Sequence, residues 1–166
     1  MVSHLFLTGE KGVGKSTLLR RLLARSGRKP GGFFTVKAED VFPGRVSLHL
    51  LAAGTAEVPG PENFLLFCGG PPDGGEAERF DRLGCAALTE NQTADILIMD
   101  ELGPREEEAR RFQGAVFRAL DGDVPVLGVL QRAESDFLRR TAAHPRVRVV
   151  EVTAANRDEL TEALLL

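Results

Sequence analysis

The sequence predicts an α/β fold with a mainly parallel sheet covered by helices on both faces. The first observation is alternation, since short apolar runs of strand length alternate with amphipathic segments at helical spacing. The second is size, because 166 residues are typical of one domain, which we place over residues 1–166. The third is composition, since a hydrophobic content of 43% excludes a disordered chain.

The chain opens with a strand, a glycine-rich turn and a helix. An apolar run at residues 4–7 breaks at Thr8 and Gly9, as a buried strand does where it meets a turn. Residues 15–26 then carry four leucines on one helical face. Gly27 follows directly, where a helix C-cap is expected.

The middle of the chain predicts an antiparallel hairpin inserted into the parallel sheet. Two strand-like runs, at residues 33–38 and 45–53, are separated by a turn at Pro43 and Gly44. Residues 54–75 hold six Gly and four Pro, which indicates an irregular region. The remaining elements are predicted as strands at 64–68, 96–99, 124–130 and 147–152, and as helices at 76–90, 106–120, 134–143 and from Asn156 or Asp158 to residue 166.

The turn after the first strand has the composition of a phosphate-binding loop. Residues 9–17, GEKGVGKST, fit G-x-x-x-x-G-K-[ST] at every position. The alternative is a glycine-rich turn before an ordinary helix, but the preceding strand and following helix favour phosphate binding. Lys15 is expected to reach the β- and γ-phosphates, and Ser16 to ligate Mg²⁺. We therefore predict nucleotide binding by Gly9, Glu10, Lys11, Gly12, Val13, Gly14, Lys15, Ser16 and Thr17.

A second acidic signal follows the strand predicted at residues 96–99. The sequence ILIMDE delivers Asp100 and Glu101 at the carboxyl end of an apolar strand, which is the Walker B arrangement. Asp100 is expected to hold Mg²⁺, and Glu101 to orient or activate the attacking water. The alternative is a strand that ends in an acidic turn. The phosphate-loop pattern earlier in the chain favours the catalytic interpretation, with Lys15 and Glu101 as catalytic residues.

Taken together, these segments resemble the small P-loop nucleoside-triphosphatases known from thermophiles and, in humans, as the cancer-related nucleoside-triphosphatase. The resemblance covers almost the whole chain and depends on GEKGVGKST at 9–17, GFFT at 32–35, DELG at 100–103 with Glu106 and Phe112 after it, and VTAANR at 152–157. It implies a RecA-like P-loop fold. In this fold three layers, α/β/α, surround a mainly parallel sheet, here with an inserted antiparallel hairpin. It also implies Mg²⁺-dependent hydrolysis of nucleoside triphosphates to diphosphate and phosphate with broad base preference.

The resemblance also assigns further residues and shows two departures. Glu106 matches a family acid, and Asn156 with Arg157 matches a segment where a base could be contacted. Lys37 stands near the place where the family usually has an arginine, and residues 54–75 do not align cleanly. From the residues alone, Asn156 has a second interpretation as the cap of the last helix.

The remaining signals limit the partners. The net charge of −3 argues against a non-specific nucleic-acid binder, and the basic run at residues 20–29 is interpreted as a solvated helix face. The chain has no apolar stretch long enough for a membrane span and no signal peptide, and its two cysteines suit a reducing cytosol, so we expect a cytoplasmic monomer. The candidates for an arginine that offsets transition-state charge, each with surface exposure as the alternative, are Arg105, Arg110, Arg111 and Arg132.

The sequence therefore predicts a Mg²⁺-dependent nucleoside-triphosphatase. One alternative is a small kinase that passes the γ-phosphate to a metabolite, with residues 54–75 as its lid. Another is a non-enzymatic nucleotide switch. Free phosphate formed without an acceptor would favour the hydrolase over the kinase. Very slow intrinsic turnover with tight diphosphate binding, accelerated by a partner, would favour the switch.

Overall fold

A computed structural model describes residues 2–90 and 93–164. Over those ranges the chain forms seven strands, five α-helices and two short 3-10 helices, the latter at Pro61–Asn63 and Pro104–Glu108. The strands are β1 His4–Thr8, β2 Pro30–Phe42, β3 Arg45–Ala52, β4 Phe64–Phe67, β5 Ile96–Leu102, β6 Val126–Leu130 and β7 Val147–Glu151. The helices are α1 Lys15–Ser26, α2 Glu76–Thr89, α3 Arg110–Asp121, α4 Asp136–Ala142 and α5 Arg157–Ala163.

All the strands join one sheet in the order β4-β3-β2-β5-β6-β1-β7. Neighbouring strands from β2 to β7 in this order run parallel, while β3 is antiparallel to both β2 and β4. The predicted parallel sheet and its antiparallel hairpin are both confirmed. Since β1, β5 and β6 are neighbours or next neighbours, the loops at their carboxyl ends meet at one edge of the sheet.

Two apolar cores lie on the two faces of the sheet. Alternate residues of β5 belong to different cores. Ile96 and Ile98 pack with the leucines of α1, whereas Leu97 and Met99 pack with α2, α3 and α4. Helix α5 joins the α1 side through Leu160 and Leu164. Burial on both faces explains why the strands read as continuous apolar runs, and it confirms the three-layer arrangement.

The basic run of α1 is partly matched by acids of α5. Arg21 lies 3.7 Å from Asp158, and Arg25 lies 3.6 Å from Glu162. Arg20 instead stacks on the Phe34 ring, with its guanidinium carbon 4.2 Å from the ring centroid. Arg21 and Arg25 keep about half of their side-chain surface exposed, at 53% and 45%, so the predicted solvated helix face is retained and also carries these contacts.

The predicted helix at residues 106–120 begins too early. Residues Pro104–Glu108 form a 3-10 helix, and α3 starts only at Arg110 because Ala109 has the non-helical dihedrals φ −85° and ψ 75°. The cause is Glu106, which is 4% exposed and whose side chain turns back to accept a hydrogen bond from the Gly103 N–H at 2.6 Å. Helical periodicity does not reveal this local interaction.

Other bounds differ less. Helix α1 and the strand at residues 64–67 lie where the sequence predicts them, whereas β2 extends to residues 30–42 because it pairs with both β5 and β3. The region 54–75 is partly ordered by Asn63, whose side chain accepts from the Gly60 N–H, donates to the Val58 carbonyl and hydrogen-bonds His49. The last helix ends at Ala163, earlier than the predicted end at residue 166, because Leu164 has extended dihedrals of φ −87° and ψ 128°.

In the ranges that the structure describes, no helix is both long and apolar enough to cross a membrane.

Candidate active site

The loop between β1 and α1 depends on glycine at three positions. Gly9, Gly12 and Gly14 have φ of 148°, 79° and 103°, values that side chains other than glycine rarely adopt. A Cβ at Gly9 would also clash with the Val152 carbonyl oxygen. This backbone resembles the nest of N–H groups that binds anions, and the N-terminus of α1 follows immediately.

Lys15 lies inside this loop. Its ammonium group donates to the Gly9 and Glu10 carbonyl oxygens at 2.7 and 2.9 Å, and the residue is 9% exposed. The charge is therefore held beside the loop that the sequence predicts for phosphate. A lysine can supply such a point charge without fixing the direction of its donors.

Ser16 and Asp100 meet although 84 residues separate them in sequence. The Ser16 hydroxyl donates to Asp100 Oδ1 at 2.9 Å, and the Thr35 hydroxyl donates to the Asp100 main-chain oxygen at 3.1 Å. Burial raises the pKa of Asp100 to about 6, opposed by the Ser16 hydrogen bond and reinforced by the neighbouring Glu101. The structure thus brings together the two predicted Mg²⁺ ligands.

Glu101 projects into the cavity, and its carboxylate has a partner that the sequence did not predict. The Gln131 side-chain amide donates to Glu101 Oε1 at 2.6 Å. Gln131 follows β6 directly, as Glu101 stands near the end of β5, and the two strands are neighbours. A polar residue after an apolar strand was the one available signal, but strand order is needed to pair it with Glu101.

These groups line a cavity of about 790 Å³ that extends from the phosphate loop to the hairpin. The far wall is apolar apart from one cation and consists of Lys37, Leu48, Leu66, Cys68 and Gly69. The remaining lining residues are Glu101, Pro104, Arg105, Gln131 and Arg132. Among the described residues predicted for the site, Val13, Asp100, Asn156 and Arg157 lie outside the lining.

Asn156 and Arg157 lie outside the cavity lining. Asn156 accepts from the Thr153 N–H at 2.7 Å and donates to the Glu151 carbonyl at 2.9 Å. It occupies the N-cap position of α5 without a side-chain capping hydrogen bond. Arg157 donates to the Val13 carbonyl at 3.2 Å, so it braces the outer side of the phosphate loop. Contact with a base stays a prediction for both residues.

Two of the four arginine candidates reach the cavity. Arg132 donates to Glu10 and Glu151, each at 2.7 Å, and Arg105 donates to Glu76 at 2.8 Å. Arg111 lies 3.6 Å from Asp81, away from the lining, and Arg110 is exposed. Arg132 is therefore held between the phosphate loop and the end of β7.

Comparison with known proteins adds the family to this geometry. A family model described as NTPase matches residues 74–165. The nucleoside-triphosphatase THEP1 of Pyrococcus abyssi is 32% identical over 97% of this chain and 89% of its own length. That of Methanocaldococcus jannaschii is 31% identical over 98% of this chain and 95% of its own. The chain belongs to the THEP1 nucleoside-triphosphatase family.

The THEP1 assignment confirms the family that the sequence resembles and agrees with the fold. The crystal structure of THEP1 from the hyperthermophile Aquifex aeolicus matches with a TM-score of 0.70 and 21% identity, over 98% of this chain and 96% of that one. This likeness confirms the P-loop NTPase fold. The names of the THEP1 relatives describe hydrolases, so the kinase alternative finds no support among them.

Proposed function

We propose that the cavity is the catalytic centre of a Mg²⁺-dependent nucleoside-triphosphatase that forms nucleoside diphosphate and phosphate. The observation that carries this proposal is the Ser16–Asp100 hydrogen bond, since it joins the phosphate loop to the strand that bears Glu101. As a member of the THEP1 family, the protein hydrolyses nucleoside triphosphates. The proposal assigns that chemistry to named residues.

The phosphate loop supplies the binding energy for the triphosphate. Backbone N–H groups of residues 9–17 and the N-terminus of α1 offer donors and a positive dipole to the phosphate oxygens. Lys15 lies within the same loop. Its ammonium group can therefore exchange the loop carbonyls for the oxygens of the β- and γ-phosphates. There it stabilises the negative charge that develops on the β–γ bridging oxygen.

The residues around Ser16 fit Mg²⁺. A hydroxyl and a carboxylate oxygen lie 2.9 Å apart, and both are hard oxygen donors of the kind this ion prefers. Ser16 and Asp100 would hold the ion. When bound, Mg²⁺ would neutralise negative charge on the phosphates.

Glu101 is assigned to the attacking water. Its carboxylate accepts a hydrogen bond from the water and aligns the oxygen with the γ-phosphorus. The bond from the γ-phosphorus to the bridging oxygen breaks as the new bond to water forms, and the diphosphate leaves with the bridging oxygen. One proton of the water stays on its oxygen, and Glu101 takes the other and passes it to the phosphate product. Lys15 and Glu101 are thus the catalytic residues.

Broad base preference follows from the chemistry available around the cavity. The lining contains no aromatic side chain among the described residues, so it offers no ring on which one base would stack in preference to another. Asn156 and Arg157 are proposed to contact the base, and the position of Arg157 beside the phosphate loop supports this.

We also propose a cytoplasmic monomer without a nucleic-acid partner, supported by the net charge of −3 and two free cysteines.

Phosphate release over a panel of nucleoside triphosphates, deoxynucleoside triphosphates and diphosphates, with and without Mg²⁺, tests this function. We expect release from the triphosphates in Mg²⁺ without any acceptor. Lys15→Ala should lose turnover by about 100-fold or more, because the bridging oxygen loses its cation. Lys29→Ala, a lysine outside the cavity lining, is the matched control. Normal hydrolysis by Lys15→Ala would contradict the site assignment.

A further inference from the structure

Gln131 lies where two elements of the site meet. Its backbone N–H donates to the Leu102 carbonyl at 2.9 Å, which ties the end of β6 to the end of β5. Its side-chain amide donates to Glu101 Oε1 at 2.6 Å and lines the cavity. The side chain therefore starts from a fixed point on the sheet and ends on the carboxylate assigned to the attacking water.

Gly103 leaves the space in which the Gln131 amide lies. A Cβ at position 103 would be 2.6 Å from Gln131 Nε2 and 2.8 Å from its Cδ. Gly103 has φ −140°, which any residue adopts, so glycine is not needed there for its conformation. The absence of a side chain is what matters at this position.

The position of Gly103 is itself fixed. Its N–H donates to Glu106 Oε2 at 2.6 Å, and Glu106 is 4% exposed. The contacts thus run from buried Glu106 to Gly103, from Gly103 to the Gln131 amide, and from that amide to Glu101. The first and last of these steps are hydrogen bonds of 2.6 Å, and at the middle step the Gln131 amide occupies the space that a side chain at position 103 would take.

We propose that Gln131 is a positioning residue for Glu101, and that Gly103 provides the slot for its amide. This inference rests on the hydrolytic function proposed above. The terminal torsion of a glutamate is broad when free, and a donor on Oε1 fixes it. Oε2 is then left to accept from the attacking water. Misplacement of such a group by about 1 Å can cost about 100-fold in rate.

The test measures kcat and KM for Gln131→Ala, Gln131→Glu and Gly103→Ala. We expect kcat to fall about 10- to 100-fold in each, with KM within about 3-fold of wild type, because the binding residues are untouched. Gln131→Glu keeps the shape but replaces the donor by a second carboxylate. If it retains wild-type kcat, the amide acts only as filler and the proposal is overturned.

The double variant Gly103→Ala/Gln131→Ala gives a sharper result. The three atoms nearest the new Cβ at position 103 all belong to the Gln131 amide, so the double variant should be no slower than Gln131→Ala. If the double variant instead lost kcat by the product of the two single losses, the proposed role of Gly103 would be contradicted. Gly122→Ala is the matched control, since its Cβ would lie 3.4 Å from its nearest neighbours, Ala119 and Arg118, which are outside the cavity lining. Its kcat should equal that of wild type.

Wild-type protein and Glu101→Gln complete the series and separate the two proposals. If wild type releases no phosphate, the proposed function fails and the positioning role fails with it. If Glu101→Gln is inactive while Gln131→Ala, Gln131→Glu and Gly103→Ala all retain wild-type kcat, the function stands and the role of Gln131 is refuted. Thermal unfolding of each variant shows whether a lost rate reflects a lost fold.

Discussion

At the scale of single residues, the neighbours Glu106 and Glu107 have opposite environments. Burial raises the pKa of Glu106 to about 8, reinforced by the charge of Glu101 and opposed by the Gly103 N–H. The pKa of Glu107 is lowered instead, chiefly by the Ser135 hydroxyl and also by the N–H groups of Phe137 and Asp136. At neutral pH one side chain is mostly protonated inside the protein, and the other is an ionised cap for α4.

The Glu106 environment predicts a pH-dependent stability. Its ordinary pKa is 4.5 and its folded pKa is about 8, so its contribution is complete below pH 4.5 and is lost as the pH rises through 8. Glu106→Gln cannot titrate. The free energy of unfolding of this variant should therefore rise relative to that of wild type as the pH increases from 5 to 9. Urea unfolding over this range measures the difference. Glu108→Gln, at an exposed neighbouring position, is the control, and its free energy of unfolding should follow the same pH dependence as wild type. If Glu106→Gln also followed that pH dependence, the burial argument would be contradicted.

Glu101→Gln separates nucleotide binding from chemistry. The amide keeps the size of the side chain but is a poor base, so we expect phosphate release to fall about 100- to 10,000-fold. Affinity for Mg²⁺–nucleotide should stay close to that of wild type, because the phosphate loop is unchanged. Equilibrium binding and steady-state turnover are measured on the same preparation. Unchanged phosphate release would remove Glu101 from the mechanism.

At the scale of elements, α2 and α3 approach each other through a glycine. Gly84 lies in the middle of α2, and a Cβ there would overlap the Phe112 ring of α3. Alanine is the better helix former, but the close contact outweighs that preference. We expect Gly84→Ala to lower the free energy of unfolding by about 1–3 kcal/mol through overpacking.

Gly114 in α3 supplies the matched control. Its added Cβ would meet only the mobile end of Arg118, at 3.3 Å. Gly114→Ala should therefore raise the free energy of unfolding by about 0.5–1 kcal/mol through helix propensity and a more restricted unfolded chain. Chemical denaturation measures both variants. Equal effects of the two substitutions would show that helix packing does not depend on Gly84.

The sequence predicts an element correctly where the interactions that define it are between residues close in the chain. The helix at residues 15–26 is correct because its leucine spacing and its Gly27 cap are local signals. The start of α3 is wrong because buried Glu106 interrupts a pattern that periodicity reads as continuous. The strand at 64–67 lies within a region rich in Gly and Pro, and its short apolar run was sufficient to find it.

At the scale of the whole molecule, ligand binding should stabilise the fold. A non-hydrolysable triphosphate with Mg²⁺ at about 100 times its Kd adds about 2.7 kcal/mol to the native state. For a chain of this length that corresponds to a rise in Tm of about 5–10 °C. Differential scanning fluorimetry measures the shift, with Lys15→Ala as the comparison. An equal shift in that variant would mean that the ligand binds elsewhere.

Strand order determines which parts of the site the sequence can reveal. The loop at 9–17 and the acids at 100–101 are visible because each motif is contiguous. The Glu101–Gln131 contact depends on β6 lying beside β5, which no local pattern encodes. The same holds for Arg157, whose contact with Val13 depends on α5 folding back beside the phosphate loop.

The origin of the cavity's far wall has a consequence for how such a protein can change over evolution. Leu48, Leu66 and Cys68 belong to β3 and the segment around β4, which join the parallel sheet only through β2 among the described strands. The phosphate loop and Glu101 belong to the parallel part. Substitutions in the hairpin can therefore reshape one end of the cavity while the hydrolytic machinery is inherited unchanged. A lineage can diversify its ligands without rebuilding its chemistry.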